Sequence, residues 1–407
     1  MKWFYRLLFV FVLLCGVVAC TEGGDDFEES SADVRPEIES VSSSSAGSDG
    51  VNDGGELAMG FDRYVTEMMA ETGVPGAAVA VVYQGDVVLL KGYGWRDVAN
   101  GLPVTPDTLF HIASTQKSMT AMLVATLVDE GVVAWDTPFR EISPEFSLNG
   151  GGETITLRHL LSMSSGIPAS SEDDFYDFGY GESADSLWPL LAETEPLGVP
   201  GEVFSYSNIS SSMAGYGAVL ALDPDAPDLD VAYGGLLFER VVRPIGMETA
   251  AFTVAEASQN PNYGKSYALD RGELVEAEPF DIDGETLTPS GVLKVSAAEM
   301  ILYIQTHLNK GVAPNGTRIV SAENTTAMWV SQIDDEGDGY ALGWGVADYD
   351  GVTLISHEGS YDNYESVIGF VPELDLGFVV LTNGSDVAVD LIEDAPWELV
   401  DVVLDLE

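Results

Sequence analysis

Apolar and polar positions fall in blocks of different period along the chain, and each block predicts an element. Residues 7–18 are almost uninterrupted apolar and follow Lys2 and Arg6. That run is short for a membrane span and has the charge and length of a secretory signal. Residues 21–56 reverse the pattern, with 11 acidic residues against Arg35 alone in a background of Ser and Gly. A stretch so poor in apolar surface does not order itself, and its own charge extends it. From residue 57 the pattern turns globular. An amphipathic helix is predicted over 61–69, closed by Gly73, Pro75 and Gly76. Two β-branched runs at 77–84 and 87–94, separated by Gly85 and Asp86, read as a hairpin. Residues 114–131 are apolar on every face and end in Gly131, the pattern of a buried helix. Strands are predicted again at 341–347, 352–357, 366–371 and 377–382, and a closing helix over 387–406 is bent at Pro396. Hairpin first, helices in the middle and strands last suggest an α+β layout, a mostly antiparallel sheet with a helical insertion.

Three segments follow: a signal at 1–19, a tether at 20–56 and a body at 57–407. Within the body, the α/β part is expected at about 57–112 and 290–407 and the helical part at about 113–289. The signal ends Val17-Val18-Ala19-Cys20, which resembles a bacterial lipoprotein signal and implies a lipidated Cys20 after cleavage. An acylated terminus and a polar tether would hold the body at a bilayer, facing the periplasm or exterior of the cell envelope. Composition removes other classes. With 67 Asp and Glu against 16 Lys and Arg, nucleic acid is a poor partner. Two Cys near the N-terminus and four scattered His give no zinc pattern, and no cofactor is implied.

Candidate chemistry lies in three short motifs. In His111-Ile-Ala-Ser114-Thr-Gln-Lys117, Ser114 and Lys117 are three apart and share one face at a helix start. A desolvated Lys can take the proton that makes a Ser hydroxyl nucleophilic. The same pair also fits a capping Ser and a snorkelling Lys. Pro200 and Gly201 lead into Tyr206-Ser207-Asn208, a phenolic proton shuttle and an orienting amide on one side of an extended loop. Tyr361-Asp362-Asn363 matches the same pattern and is read as loop structure. His357-Glu358-Gly359 closes a predicted strand, where Gly359 admits close approach and the Ser360 backbone N–H can donate to an oxyanion. His357 could position a substrate carboxylate or tune the Tyr206 proton; taken alone, it also fits a strand-end turn.

Together, the order and spacing resemble the serine β-lactamase and penicillin-binding superfamily, within it the branch of class C β-lactamases, D-alanyl-D-alanine carboxypeptidases, D-aminopeptidases and esterases. Further segments share the likeness: Val74-Pro-Gly-Ala-Ala-Val-Ala, Pro106-Asp-Thr-Leu-Phe, Thr156-Leu-Arg-His-Leu-Leu-Ser, Arg243-Pro-Ile-Gly-Met247 and Tyr340-Ala-Leu-Gly-Trp-Gly. The resemblance implies a β-lactamase/transpeptidase-like fold and an acyl-enzyme on Ser114. Lys117 and Tyr206 would share the base and acid work, with either as resting base, and Asn208 would orient them. His357 would serve the site from the strand, and the backbone N–H groups of Ser114 and Ser360 would form the oxyanion hole. Glu358 and Gly359 would contact a small-molecule or peptide substrate. Class C β-lactamases commonly carry Lys-Thr-Gly where this chain has His357-Glu358-Gly359, whereas His-x-Gly is familiar among carboxypeptidase-like and esterase-like members. If Glu358 faced the pocket, it would repel a substrate carboxylate. Met163 stands where relatives often carry His. Phe175 to Tyr180, with Trp188 beyond, could wall an apolar pocket or lie buried. The reading implied is a membrane-anchored serine hydrolase of esterase, D-amino-acid peptidase or carboxypeptidase type. The alternatives are a true β-lactamase and a non-catalytic envelope sensor. The sequence leaves the oligomeric state open, and it lacks the Gly-x-Ser-x-Gly elbow of α/β-hydrolases.

The net charge of -51 is not confined to the tether. Residues 57–407 carry 13 basic and 56 acidic groups, net -43. Such a surface suits salty surroundings, where screening acts within about 3 Å at 1 M salt; solubility in the envelope accounts for it equally. The halophilic reading expects unfolding midpoint and activity to rise between dilute buffer and about 1 M salt. A midpoint followed by circular dichroism that ignores salt would refute it.

Overall fold

A computed structural model describes residues 53–169, 183–277, 285–335 and 337–406. The signal, Cys20, nearly all of the tether and the aromatic run 175–180 lie outside the described residues. Helix α1 (Asp53–Thr72) opens the body and begins within the last residues assigned to the tether. Strand β1 (Gly76–Tyr83) is buried along its whole length, as an apolar run covered on both faces must be. It is followed by β2 (Asp86–Asp97) and β3 (Leu102–Pro103). The hairpin turn between β1 and β2 is Gln84-Gly85, one residue earlier than expected, and both residues have positive φ. Helix α2 (Gln116–Asp129) is buried without a break over 116–127, in agreement with its apolar pattern.

Helices α3 (Asn208–Leu222) and α4 (Leu229–Leu237) pack beside α2. Helix α5 (Ala297–Leu308) lies against β1 and the last strand of the sheet. Two small antiparallel pairs join distant segments: β4 (Leu109–His111) with β7 (Lys294–Ser296), and β5 (Tyr267–Asp270) with β6 (Glu273–Glu276). The β5–β6 hairpin interrupts the stretch expected to be helical. The remaining strands are β8 (Ile333–Asp335), β9 (Asp338–Tyr340), β10 (Gly345–Tyr349), β11 (Val352–Tyr361), β12 (Tyr364–Val371) and β13 (Leu376–Thr382). Of the strand expected over 341–347 only 345–347 is strand, the start of β10, because Ala341 to Trp344 form the turn from β9, closed by Ala341 N–H donating to Trp344 O. Of Tyr361-Asp362-Asn363, Tyr361 ends β11 and Asp362 and Asn363 form the turn into β12, both with positive φ. Helix α6 (Val389–Leu406) closes the chain with Pro396 inside it.

The large sheet runs β3-β2-β1-β13-β12-β11-β10-β9-β8 and every pairing in it is antiparallel. Alternation sorts its residues between two layers. Val79, Val81, Leu354, Val367, Phe378 and Val380 pack against α1 and α6, with Phe61, Leu391 and Leu399 at the interface. Ala78, Ala80, Ile355, Ile368 and Val379 face the other way, toward α2, α3 and α5. The result is an α+β, β-lactamase/transpeptidase-like architecture. Its site forms where the head of α2 meets β11.

Candidate active site

The head of α2 is built around an unusual backbone. Ala113 takes φ +48, and its N–H donates to Nδ1 of buried His111 at 3.1 Å. A 3₁₀ turn over Ala113–Thr115 then presents Ser114. Between 108 and 127 every residue is buried except Ser114. One hydroxyl is thereby open to a substrate while its surroundings stay dry.

Lys117 is fully buried, and its Nζ lies 2.8 Å from Ser114 Oγ and donates to Ser290 O at 3.1 Å. Burial holds the Lys117 amine well below its ordinary pKa, because a desolvated ammonium is costly. The Tyr206 ring packs 4.9 Å from Lys117 Nζ. Burial pushes the Tyr206 phenol upward; a hydrogen bond with Ser114 offsets part of this and the Glu358 charge adds to it. The two candidate bases are driven apart, Lys117 toward neutral amine and Tyr206 toward neutral phenol.

Asn208 is the first residue of α3, and its connection to the site runs through its backbone: Ser290 Oγ donates to Asn208 O at 2.6 Å. The fourth element is β11. A methyl group added at Gly359 would meet Ile112 O at 2.5 Å and Ser114 N at 2.9 Å. The strand and the nucleophile turn are therefore in direct backbone contact, which only Gly allows. Ser366 on β12 reinforces that seam by donating to Ile112 O at 2.8 Å. Ser360 is exposed, and its hydroxyl donates to Glu365 Oε1 at 2.7 Å.

His357 lies on the pocket side of β11, its ring 6.0 Å from that of Tyr206. Burial, then the nearby Lys117, lower its pKa to about 3. Glu358 does not join it. Successive residues on a strand face opposite ways, and the cross-strand partner of Glu358 is Val367, in the layer packed on α1 and α6. The Glu358 carboxyl is pushed up to about 7 by burial and by Glu393 on α6. The expected substrate contact of Glu358 is thus replaced by a place behind the strand.

Several residues without a sequence motif complete the site. Gln116 Oε1 accepts from the N–H groups of Val292 and Leu293 at 2.7 and 2.8 Å, and its Nε2 donates to Thr288 O at 2.9 Å. Together with Thr120 Oγ1, which donates to Pro289 O, it fixes the segment that carries Ser290. Met163 grips the Tyr206 loop on both sides: Ser205 N–H donates to Met163 O at 2.8 Å and Ser207 N–H to Met163 Sδ at 3.4 Å. In the sequence these residues show only as a Pro-Ser-Gly run at 289–291 and a Met within a Ser-rich turn. Trp188 packs against the core with Nε1 donating to Ser143 Oγ. His159 caps its own short helix together with Thr156.

The Beta-lactamase family model matches residues 61–401. The chain belongs to the beta-lactamase family. It therefore sits in the superfamily of serine β-lactamases and penicillin-binding proteins, in agreement with the resemblance carried by its motifs. This beta-lactamase-family chain is 30% identical over 344 residues to Penicillin-binding protein 4 of Amycolatopsis lactamdurans, covering 82% of this chain and 86% of that protein. It is 26% identical to Protein flp of Staphylococcus aureus (strain MRSA252), covering 84% of this chain and 66% of that protein's length. A solved structure, the octameric penicillin-binding protein homologue from Pyrococcus abyssi, superposes with a TM-score of 0.68 at 28% identity. It covers 80% of this chain and 73% of that one.

Burial of Lys117 has a measurable signature. Its depressed pKa means that the unfolded state binds a proton the native state does not, so this group's contribution to stability improves as pH rises toward the unfolded lysine value, about 10.4. Relative to Lys117→Met, the natural protein is expected to gain stability as pH rises toward that value. Urea unfolding of both proteins between pH 7 and 10 checks it; a constant difference would mean that Lys117 is protonated in the fold.

Proposed function

We propose that this chain is a serine hydrolase that opens an ester or amide through an acyl-enzyme on Ser114. The observation that carries the reading is the pair of Ser114 Oγ and Lys117 Nζ at 2.8 Å, one accessible and the other fully buried. In the resting site, Lys117 is a free amine and Tyr206 a phenol. Lys117 takes the Ser114 proton as Oγ bonds to the substrate carbonyl carbon. Tyr206, next to both groups, relays a proton to the leaving oxygen or nitrogen as the bond to carbon breaks. Water then adds to the acyl carbon, its proton returns through the same pair, and Ser114 is released with the acid. The oxyanion is received by the backbone N–H groups of Ser114 and Ser360; the close seam at Gly359 supports that assignment. His357 walls the pocket, and Asn208 acts through its carbonyl on the short helical turn that carries Ser290.

The family and its penicillin-binding relatives support β-lactams as acylating agents. The absence of a Lys at position 357 favours an esterase or peptidase over a β-lactamase with fast turnover. We place the enzyme in the cell envelope, held to a bilayer by a lipid on Cys20. The charged-then-apolar N-terminus and the acidic tether support this, and among the described residues no helix is long and apolar enough to cross a membrane.

A fluorophosphonate or a fluorescent penicillin is expected to label the natural protein covalently and to leave Ser114→Ala unlabelled. If neither reagent labels the folded natural protein, the non-catalytic sensor is the correct reading. In a bacterial host, alkynyl palmitate is expected to mark the full chain and to spare Cys20→Ser; equal marking or none would remove the lipid anchor.

A further inference from the structure

One wall of the pocket is closed by a hydrogen-bond chain that the mechanism above does not use. His357 Nδ1 lies 2.5 Å from Glu358 O, and a carbonyl oxygen only accepts, so Nδ1 carries the ring proton. The other nitrogen, Nε2, lies 2.9 Å from the hydroxyl of Tyr340, which therefore donates to it. Both imidazole nitrogens are occupied, and His357 and Tyr340 are 8% and 5% exposed. The rings of Tyr206 and Phe204 lie 6.3 and 5.6 Å from that of Tyr340, so the chain is set in aromatic surroundings. The groups facing His357 are Lys117 on α2, Tyr206 on the loop before α3 and Tyr340 on β9; on its own strand, Glu358 points to the opposite side.

We propose that Tyr340 determines specificity: by donating to Nε2 it fixes His357 as a neutral imidazole with no donor left over, so the enzyme selects substrates that carry no carboxylate against this wall. The inference rests on the acyl-enzyme reading and narrows the substrates turned over efficiently to uncharged esters and amides; a carboxylate-bearing penicillin still acylates Ser114, but slowly. A cation at position 357 would attract an anionic group, whereas a neutral ring facing the pocket through bonded nitrogens presents apolar edge and face. The amine of Lys117 next to it is held well below its ordinary pKa by burial, which favours its uncharged form as well.

The test compares p-nitrophenyl butyrate with its carboxylate-bearing analogue, mono-p-nitrophenyl glutarate, on the natural protein and on Tyr340→Phe. The natural protein is expected to prefer the uncharged ester by at least about 30-fold in kcat/KM, with a ratio flat between pH 5 and 8. Tyr340→Phe removes the donor that competes with a proton for Nε2, so the His357 pKa is expected to rise from its burial-lowered value. The variant's preference, read as the ratio of the two kcat/KM values, is expected to shrink severalfold as pH falls toward 5. The double variant Tyr340→Phe/His357→Gln should restore a pH-independent ratio. The charge of the whole protein is common to all three and cancels in the comparison. A second readout needs no turnover: nitrogen NMR of the Ser114→Ala protein should show His357 protonated at Nδ1 throughout that pH range, and Tyr340→Phe should make it titrate. A natural protein that hydrolyses both esters equally, or a Tyr340→Phe variant whose ratio and NMR titration are unchanged, would overturn the inference. Loss of covalent labelling at Ser114 with the Nδ1 tautomer intact would instead remove the acyl-enzyme reading.

Discussion

The site depends on keeping one lysine amine out of water. Moving an ammonium into a protein interior costs several kcal/mol, and the cheaper course is to give up the proton. A neutral amine then needs partners that suit a neutral donor and a position that does not drift. Lys117 has both. Helix α2 is buried over its whole first three turns, so the amine cannot reach solvent by moving its stem. The acceptor Ser290 O is held by neighbours on every side: Gln116 through the backbone at 288, 292 and 293, Thr120 through Pro289 O, and Ser290's own hydroxyl through Asn208 O. Ser212 Oγ adds a further bond to Ser290 Oγ at 2.8 Å. Much of what the helical layer does locally is to hold one carbonyl oxygen in place.

The sheet supplies the opposite requirement, an approach so close that no side chain intervenes. At Gly359 the strand touches the backbone of Ile112 and Ser114, and Ser366 ties the same carbonyl of Ile112 to β12. The strained Ala113 bridges these two demands. Its positive φ turns the chain from the β4 direction into α2, and the His111 ring accepts the N–H that this turn would otherwise leave buried without a partner. Nucleophile, amine and strand thus share one rigid junction instead of three independent loops.

The parts of this arrangement legible in the sequence are those in which chemistry is carried by side-chain type at fixed spacing. Ser114 and Lys117 three apart, Tyr206 near Asn208, and His357 two before Gly359 all survive as neighbours. The strand and helix runs survive too, because apolar continuity in β1 and α2 reflects burial on both sides. What stays hidden acts through the backbone or across the fold. Ser290 works through its carbonyl, Met163 through a carbonyl and a thioether, and Tyr340 through a contact 17 residues along the chain. No local pattern encodes such partners. Glu358 is different, since strand alternation alone sends it away from His357 once the strand is known to continue through both. The turn at 341–344 was hidden because its residues are as apolar as those of a strand, and only the pairing of β9 with β10 distinguishes them.

The acidity of the body and the neutrality of the pocket act at different ranges, and magnitudes decide which governs Lys117. A net charge of -43 favours a protonated lysine. Yet an exposed carboxylate about 10 Å away contributes only about 0.4 kcal/mol in water before screening, and salt at physiological strength removes most of that. Desolvation of a fully buried amine acts at contact and is not screened. Two acids behind β11 are also moderated: the Glu358 carboxyl is pushed up to about 7 by burial and by Glu393, and that of Glu365 to about 8 by burial and by neighbouring carboxylates that include Glu358. Near neutral pH they carry only part of their formal charge. The acidic surface therefore governs how the molecule meets solvent, salt and charged substrates, while the protonation of Ser114, Lys117 and Tyr206 is set by burial. An anionic substrate is disfavoured twice, first by the field it must cross and then by a pocket wall that offers it no positive charge.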